Sequence, residues 1–227
     1  RLFIKMKENG NVFLPKEDLL ADFYWYMKNN REAFTPEAFK LKTAYGEKIL
    51  PAYYDHYIDK WNKIIVVEKP VRNVTVQHVP VNGKLDKLEF NGRLVNVVDY
   101  KTGKYENARK KLVRPNEKEP NGGDYWRQAV FYKILMDNDK THDWKVISTE
   151  FDFIEPVGEV YKTELVEVTE ADITTVTQQI VTTWQKIQNR EFKTGCGKPD
   201  CDWCNFVKTN DLAVALHTLE AEDGGEE

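Results

Sequence analysis

The alternation of apolar and polar residues is clearest across residues 81–103, where it predicts a β-hairpin. Asn91-Gly92 separates two runs rich in Leu, Val and Phe, and this dipeptide is typical of a two-residue hairpin loop with a type I′ turn. With that loop, Asp86 would lie opposite Val97 and diagonal to Asp99. A loop one residue longer would move Asp86 to the other face. Because side chains alternate along a strand, one face of the predicted hairpin carries Asp86, Leu88, Val95, Val97, Asp99 and Lys101.

The remaining pattern predicts helices and strands on both sides of this hairpin. Helical spacing or helix start signals mark 1–6, 15–30, a segment that begins at Thr35-Pro36 and kinks at Pro51, 124–138 and 169–190. Strand patterns mark 63–69, 71–78, 144–154 and 159–168. These elements predict an α/β fold in which helices flank a central mixed sheet. We expect an N-terminal helical segment over 1–62, a core over 63–206 and an acidic, disordered tail over 207–227.

The charged end of the hairpin face suggests metal chemistry. Two carboxylates at diagonal distance, roughly 7 to 8 Å, repel each other unless a cation lies between them. Oxygen ligands favour Mg²⁺ or Mn²⁺ over Zn²⁺. Lys101, two residues after Asp99, could orient or deprotonate an attacking water and offset charge on a phosphate. Taken alone, an Asp-x-Lys strand is more often a surface ion pair than a site.

The same residues carry a family resemblance. The stretches 83–87 (GKLDK) and 98–103 (VDYKTG) resemble the G-x-(I/L)-D-(R/K) and (V/I)-D-(Y/F)-K-T-G motifs of the PD-(D/E)xK nuclease superfamily, in its RecB-like branch. That branch also has a Gln-x-x-x-Tyr helix, which is similar to Gln128 and Tyr132 in this chain. Residues four apart share one face of a helix. The resemblance extends over about 46–206 and implies a restriction-endonuclease-like fold.

The resemblance also implies roles for individual residues. Mg²⁺ or Mn²⁺ would be held by Asp86, Asp99 and the backbone carbonyl of Tyr100, with Lys101 as the activating residue. Gln128 and Tyr132 would orient the water or the nucleic acid, although Tyr132 could equally be a core residue.

Charge is distributed unevenly along the chain. The net charge is −4, but the last ten residues hold five acids and no base, whereas the stretch from Lys84 to Lys118 holds ten bases and five acids. A polar loop over 104–123 follows the hairpin, and loops beside a site commonly grip substrate. A basic segment can bind a phosphate backbone or be only a solvated surface. The candidate DNA contacts are Lys104, Arg109, Lys110, Lys111 and Arg114.

Cys196, Cys201 and Cys204 are the three cysteines. An odd number in one short segment argues against a disulfide framework, and three clustered thiolates suit a metal or cluster site. Some RecB-like nucleases resemble this pattern and add a distant upstream cysteine to complete a [4Fe-4S] cluster. Since no fourth cysteine is present, we expect reduced cysteines without a ligand in this chain, and the cluster only in a longer parent protein.

The predicted function is a metal-dependent DNA nuclease, most simply an exonuclease, acting in DNA repair or recombination. The RecB-like resemblance implies a superfamily 1 helicase motor in the parent chain. Since no phosphate-binding loop for ATP occurs here, we expect that motor elsewhere in the parent chain. It also implies a catalytic His upstream, so this chain alone is expected to be weak or inactive. No membrane-spanning run or signal peptide is visible, which predicts a cytoplasmic protein without a membrane partner. The alternative is a non-catalytic DNA-binding or scaffold module that keeps the fold.

Overall fold

The computed structural model describes residues 1–191, 195, 201–207 and 209. The chain divides into two compact units, Arg1–Gln178 and Gln179–Glu227. The second unit contains the end of the last long helix and a short helical stretch over 202–207. No helix within the described ranges is long and apolar enough to cross a membrane.

The first unit contains a five-stranded sheet with helices before, within and after it. The strands stand in the order β1-β2-β3-β4-β5, with β3 and β4 parallel and every other neighbouring pair antiparallel. The prediction of a mixed sheet flanked by helices is therefore confirmed. The elements are α1 (Leu2–Glu8), α2 (Lys16–Asn29), α3 (Pro36–Tyr57), β1 (Ile65–Val76), β2 (Val79–Asn91), β3 (Leu94–Lys101), α4 (Tyr105–Arg109), α5 (Asp124–Asp137), β4 (Lys145–Phe153), β5 (Thr163–Val166) and α6 (Glu170–Gln188).

Each face of the sheet packs against different helices. Helix α5 covers the face that carries Asp99, where Ala129 and Val130 are fully buried. Helices α1 and α3 cover the other face through an aromatic cluster that includes Phe3, Tyr53 and Trp61. Helix α3 begins as predicted, because the Thr35 side chain accepts a hydrogen bond from the backbone of Ala38. It continues through Pro51 instead of ending there.

The central hairpin has a different register from the predicted one. Leu88 pairs with Val97 and Asn91 pairs with Leu94, so the loop is Gly92-Arg93. Gly92 has a φ of 61°, and a glycine with positive φ at the first loop position fits a type II′ turn instead of type I′. The pairing has moved by two residues, which preserves the face of every side chain. Extended by one residue, this register places Asp86 opposite Asp99.

Strand β1 is one strand where the sequence predicted two. It runs through Pro70, which the edge position of the strand tolerates. Its pairing with β2 shifts between Val71 and Val74, and Asn73 in between has a φ of 58°. The irregularity therefore bends the strand without ending it.

The segment 104–123 was predicted as a polar loop, but helix α4 occupies Tyr105–Arg109 in it. A buried carboxylate fixes the rest of this polar segment to the start of α6. Asp172 is 5% exposed and accepts hydrogen bonds from Arg114 Nε at 2.9 Å, Trp126 Nε1 at 3.2 Å and Thr169 Oγ1 at 2.8 Å. Thr169 and Asp172 form a reciprocal cap at the start of α6. Burial alone would raise the pKa of Asp172, but the hydrogen bonds from Arg114 and Thr169 outweigh it and lower the pKa to about 2.

We expect Asp172→Ala to lower the free energy of unfolding by roughly 3 kcal/mol, because three donors lose their shared acceptor. Urea unfolding followed by fluorescence measures this, with Thr174→Ala on the exposed side of α6 as the control. Since its pKa is depressed, Asp172 stabilises the fold above its ordinary pKa, and this contribution is lost as pH falls towards 2. An Asp172→Ala variant as stable as the Thr174→Ala control would contradict the assignment.

Candidate active site

Three elements bring the predicted site residues together. Asp86 comes from β2, Asp99 and Lys101 from β3, and Gln128 and Tyr132 from successive turns of α5. The two strands are neighbours, and α5 packs over the face that carries these side chains. Four of the five side chains are joined by hydrogen bonds or an ion pair, as described next.

Asp99 is the centre of this network. It is only 4% exposed, and both of its carboxylate oxygens are engaged. Oδ1 accepts hydrogen bonds from Tyr132 Oη at 2.6 Å and Gln128 Nε2 at 2.9 Å. Oδ2 lies 2.6 Å from Lys101 Nζ. A buried carboxylate requires such donors because desolvation disfavours its charge.

Gln128 connects the other members of the network. Its amide oxygen accepts a hydrogen bond from Lys101 Nζ at 2.8 Å, while its amide nitrogen donates to Asp99. The same nitrogen lies 2.6 Å from Tyr132 Oη. Gln128 therefore fixes the ammonium of Lys101 and the carboxylate of Asp99 relative to each other.

Tyr132 is both a core residue and a member of the network. It is 7% exposed, and its hydroxyl donates to Asp99. Burial and the hydrogen bond to Asp99 raise the pKa of Tyr132 well above its ordinary value. The hydroxyl therefore stays protonated and remains a donor across the range in which proteins are folded.

Asp86 is outside the network of Asp99 but is coupled to it electrostatically. It is half-buried, and burial followed by the charge of Asp99 raises its pKa. Its Oδ2 accepts a hydrogen bond from the Tyr100 backbone N–H at 3.3 Å. The ionised form of Asp86 is thus disfavoured by its surroundings, and a cation bound nearby would offset that electrostatic cost.

The donor set fits a magnesium-type ion better than zinc. Within the described ranges, no group of three or more His, Cys, Asp or Glu side chains is placed to hold a metal. The protein would contribute two carboxylates and the carbonyl of Tyr100. Mg²⁺ commonly takes one or two carboxylates and completes its shell with water and phosphate. Zn²⁺ sites usually need three or four nitrogen or sulfur ligands.

Comparison with known proteins agrees with this geometry. The family model of the PD-(D/E)XK nuclease superfamily matches residues 15–209. The chain belongs to this superfamily. No curated protein matches the chain in sequence.

Solved structures that are similar to this nuclease domain are distant from it. One, from Eubacterium rectale, is provisionally described as an exonuclease; it is 13% identical, with a TM-score of 0.43, and the match covers 88% of this chain and 78% of that one. Another is a protein named SSO0001, which is 13% identical, with a TM-score of 0.34 and coverage of 80% and 84%.

A cavity of about 420 Å³ borders the nuclease site at Asp86. Its walls are mostly apolar and include Phe3, Tyr26 and Trp61, and Glu68 also lines it. Glu68 ends the first predicted strand, and a carboxylate there can either take an outer part in metal binding or simply lie at the edge of the sheet. In the structure Glu68 forms an ion pair with Lys84, and its charge contributes to the raised pKa of Asp86.

The candidate DNA-binding residues have different surroundings. Lys104, Arg109, Lys110 and Lys111 are exposed. Arg114 is also exposed, with 56% of its side chain accessible, and its guanidinium binds Asp172 and the carbonyl of Glu167. The ammonium of Lys111 lies 5.1 Å from the ring centre of Tyr125, next to the site.

The aromatic surroundings of Lys101 were not anticipated from the sequence. Its ammonium lies 4.3 Å from the ring centre of Tyr125 and 5.0 Å from that of Phe151. Tyr125 precedes Gln128 by three residues, so the helical spacing that joined Gln128 to Tyr132 also places Tyr125 on the same side of α5. This helical spacing is the sequence feature from which the position of Tyr125 beside the site could have been predicted.

The structure describes two of the three cysteines of the predicted cluster. Cys196 lies outside the described residues. Cys201 and Cys204 are both half-buried, and a Cβ added to Gly195 would lie 3.3 Å from Cys204 Sγ. The residue before Cys196 is therefore close to Cys204.

Proposed function

We propose that this nuclease domain is a metal-dependent deoxyribonuclease that hydrolyses phosphodiester bonds, and that it acts as an exonuclease. The observation that supports this most is the convergence of Lys101, Gln128 and Tyr132 on Asp99, beside a second carboxylate with a raised pKa. A structural ion pair would not need a second carboxylate held close to the first at an energetic cost.

Each residue has a distinct role in the proposed reaction. Asp86, Asp99 and the carbonyl of Tyr100 would hold Mg²⁺ or Mn²⁺. The ion, when bound, supplies Lewis acidity towards the phosphate and lowers the pKa of water. Lys101 places positive charge where negative charge develops on the phosphate. Gln128 keeps the Lys101 ammonium in position, and Tyr132 holds Asp99 in one orientation.

We infer the wider context from the RecB-like motifs. In this proposal the domain is joined to a superfamily 1 helicase motor in one cytoplasmic parent chain that repairs or recombines DNA, and the segments 1–62, 63–206 and 207–227 are its helical part, core and tail. Sequencing the reading frame upstream of the Arg1 codon tests it. Helicase motifs are expected there, together with the upstream catalytic His in a pattern such as G-x-x-x-H. A frame without the helicase motifs would remove the motor from the proposal.

The competing function is a DNA-binding or scaffold module without chemistry. We expect the chain to cleave linear single- or double-stranded DNA in Mn²⁺, weakly, and to leave closed circular DNA intact if it is an exonuclease. A gel assay with Asp86→Asn as the inactive control separates the two. Binding without Asp86-dependent cleavage would favour the scaffold, whereas cleavage of circular DNA would show an endonuclease.

The cysteines provide a further prediction. We expect this chain to purify without iron, and a version extended upstream and prepared without oxygen to contain a [4Fe-4S] cluster. Visible absorbance with iron and zinc analysis measures both. An extended protein that contains neither metal would leave Cys196, Cys201 and Cys204 without a cofactor role.

A further inference from the structure

The aromatic ring of Tyr125 contacts two ammonium groups at once. It stacks on Phe151 with 5.2 Å between the ring centres. Lys101 Nζ lies 4.3 Å from the centre of the Tyr125 ring and Lys111 Nζ lies 5.1 Å from it. The two ammonium nitrogens are therefore no more than the sum of these two distances apart, although they belong to different elements, β3 and the loop 104–123.

The position of Lys111 is fixed by its backbone. Its carbonyl accepts hydrogen bonds from the N–H groups of Tyr125 at 2.9 Å and Trp126 at 3.1 Å, in the first turn of α5. Gly123 packs against the same carbonyl so closely that a Cβ there would lie 2.2 Å from the oxygen. Lys111 is thus attached to the helix that carries Gln128, unlike an ordinary lysine of a surface loop.

Charge balance distinguishes the two lysines. Lys101 is neutralised by Asp99. In the part of the chain that the structure describes, no acidic side chain forms an ion pair with Lys111. Two cations close to one ring repel each other, and an anion that both could contact would remove the repulsion. The anion that the proposed reaction brings to Lys101 is a phosphate.

We propose that Tyr125 is a positioning residue that holds Lys101 at the scissile phosphate and Lys111 at the same or the next phosphate of the DNA strand. This inference rests on the proposed nuclease function and extends it to substrate grip. The ring acts through the two lysines, since its π electrons attract both ammonium groups and limit where they can move. Lys111 thereby becomes a phosphate-binding residue inside the site.

The first test does not depend on cleavage. In wild-type protein labelled on lysine, the ε-methylene NMR signals of Lys101 and Lys111 should be displaced by the ring current of Tyr125. Tyr125→Leu should remove the displacement of the Lys111 signal and reduce that of Lys101, which also lies 5.0 Å from the ring centre of Phe151. Tyr125→Phe should retain both displacements. The matched control is Tyr105→Leu, because Tyr105 packs edge-on against Phe153 in the same cluster, and no lysine of the described residues lies over its ring. Unchanged lysine signals in Tyr125→Leu would overturn the inference.

The second test measures grip and turnover. Tyr125→Leu should lower kcat by about tenfold to a hundredfold, while Tyr125→Phe and Tyr105→Leu stay within about twofold of wild type. Lys111→Gln, an exposed change that should not affect folding, should weaken DNA binding measured in EDTA and reduce the salt slope by about one. An unchanged slope would remove Lys111 from the phosphate contacts.

Failure of the inference can be told apart from failure of the proposed function. If wild type cleaves DNA and Tyr125→Leu cleaves equally well, only the role of Tyr125 is lost. If neither this chain nor a version extended upstream cleaves DNA under any metal condition, the nuclease proposal fails. The lysine signals and the salt slope then still decide whether Tyr125 places two cations on a phosphate backbone.

Discussion

Replacing Asp86 by Asn is expected to abolish cleavage and, at the same time, to raise the free energy of unfolding of the metal-free protein. Cleavage should fall by at least about a thousandfold, since the proposed metal site loses one of its two carboxylates. The stability gain follows from the raised pKa of Asp86, which burial and the charge of Asp99 cause. When folding raises the pKa of a carboxyl group, the protein becomes less stable as the pH rises from the unfolded-state pKa through the folded-state pKa. Asn carries no charge at any pH, so the variant avoids this loss.

Three measurements test this pair of effects. Cleavage of linear DNA in Mn²⁺ reports activity, urea unfolding in EDTA at pH 5 and pH 8 reports stability, and the melting temperature with and without Mn²⁺ reports binding. The control is Asp143→Asn, because Asp143 is 81% exposed in its side chain. An Asp86→Asn variant that cleaves as fast as Asp143→Asn, or that is less stable than wild type at pH 8, would refute the role of Asp86.

Asp99 should behave differently from Asp86. Asp99→Ala should also abolish cleavage, but it leaves Lys101, Gln128 and Tyr132 without their common acceptor. We therefore expect destabilisation of about 3 to 5 kcal/mol in place of a gain. The contrast between the two variants would separate repulsion at Asp86 from structural support at Asp99.

The sequence predicted that the candidate site residues share one face of the hairpin, for a reason that tolerated an error in register. The predicted hairpin register was off by two residues, yet Asp86, Asp99 and Lys101 share a face because strand side chains alternate with a period of two. An error of one residue would have separated Asp86 from the other two. The apolar pattern therefore predicts on which face of the hairpin each side chain lies, but not which residues pair across it.

Other features depended on contacts between distant parts of the chain. The binding of Arg114 to Asp172 joins residues 58 positions apart, so a basic loop residue that suggested DNA contact has a structural partner. Pro70 suggested a break between two strands, but β1 lies at the sheet edge, where a missing N–H is tolerated. Neither the loop closure nor the strand order could be read from local sequence.

Replacing Lys101 by Met is expected to abolish turnover while leaving metal binding intact. In the structure Lys101 Nζ lies 2.6 Å from Asp99 Oδ2, so the ammonium competes with a cation for that oxygen. Removing it should leave Mn²⁺ affinity equal to or tighter than that of wild type, measured by titration calorimetry. Cleavage should fall by about a hundredfold or more, because the positive charge beside the reacting phosphate is lost.

A matched lysine makes this prediction specific. Lys133 is buried to nearly the same extent as Lys101, with side-chain exposures of 13% and 14%, and it also pairs with a carboxylate, Asp137. Lys133→Met should therefore reproduce any loss of stability caused by removing a half-buried lysine, but keep full cleavage. If Lys101→Met loses Mn²⁺ binding together with cleavage, Lys101 organises the metal site and does not act on the phosphate. If both variants lose cleavage equally, the effect comes from folding and Lys101 has no special role.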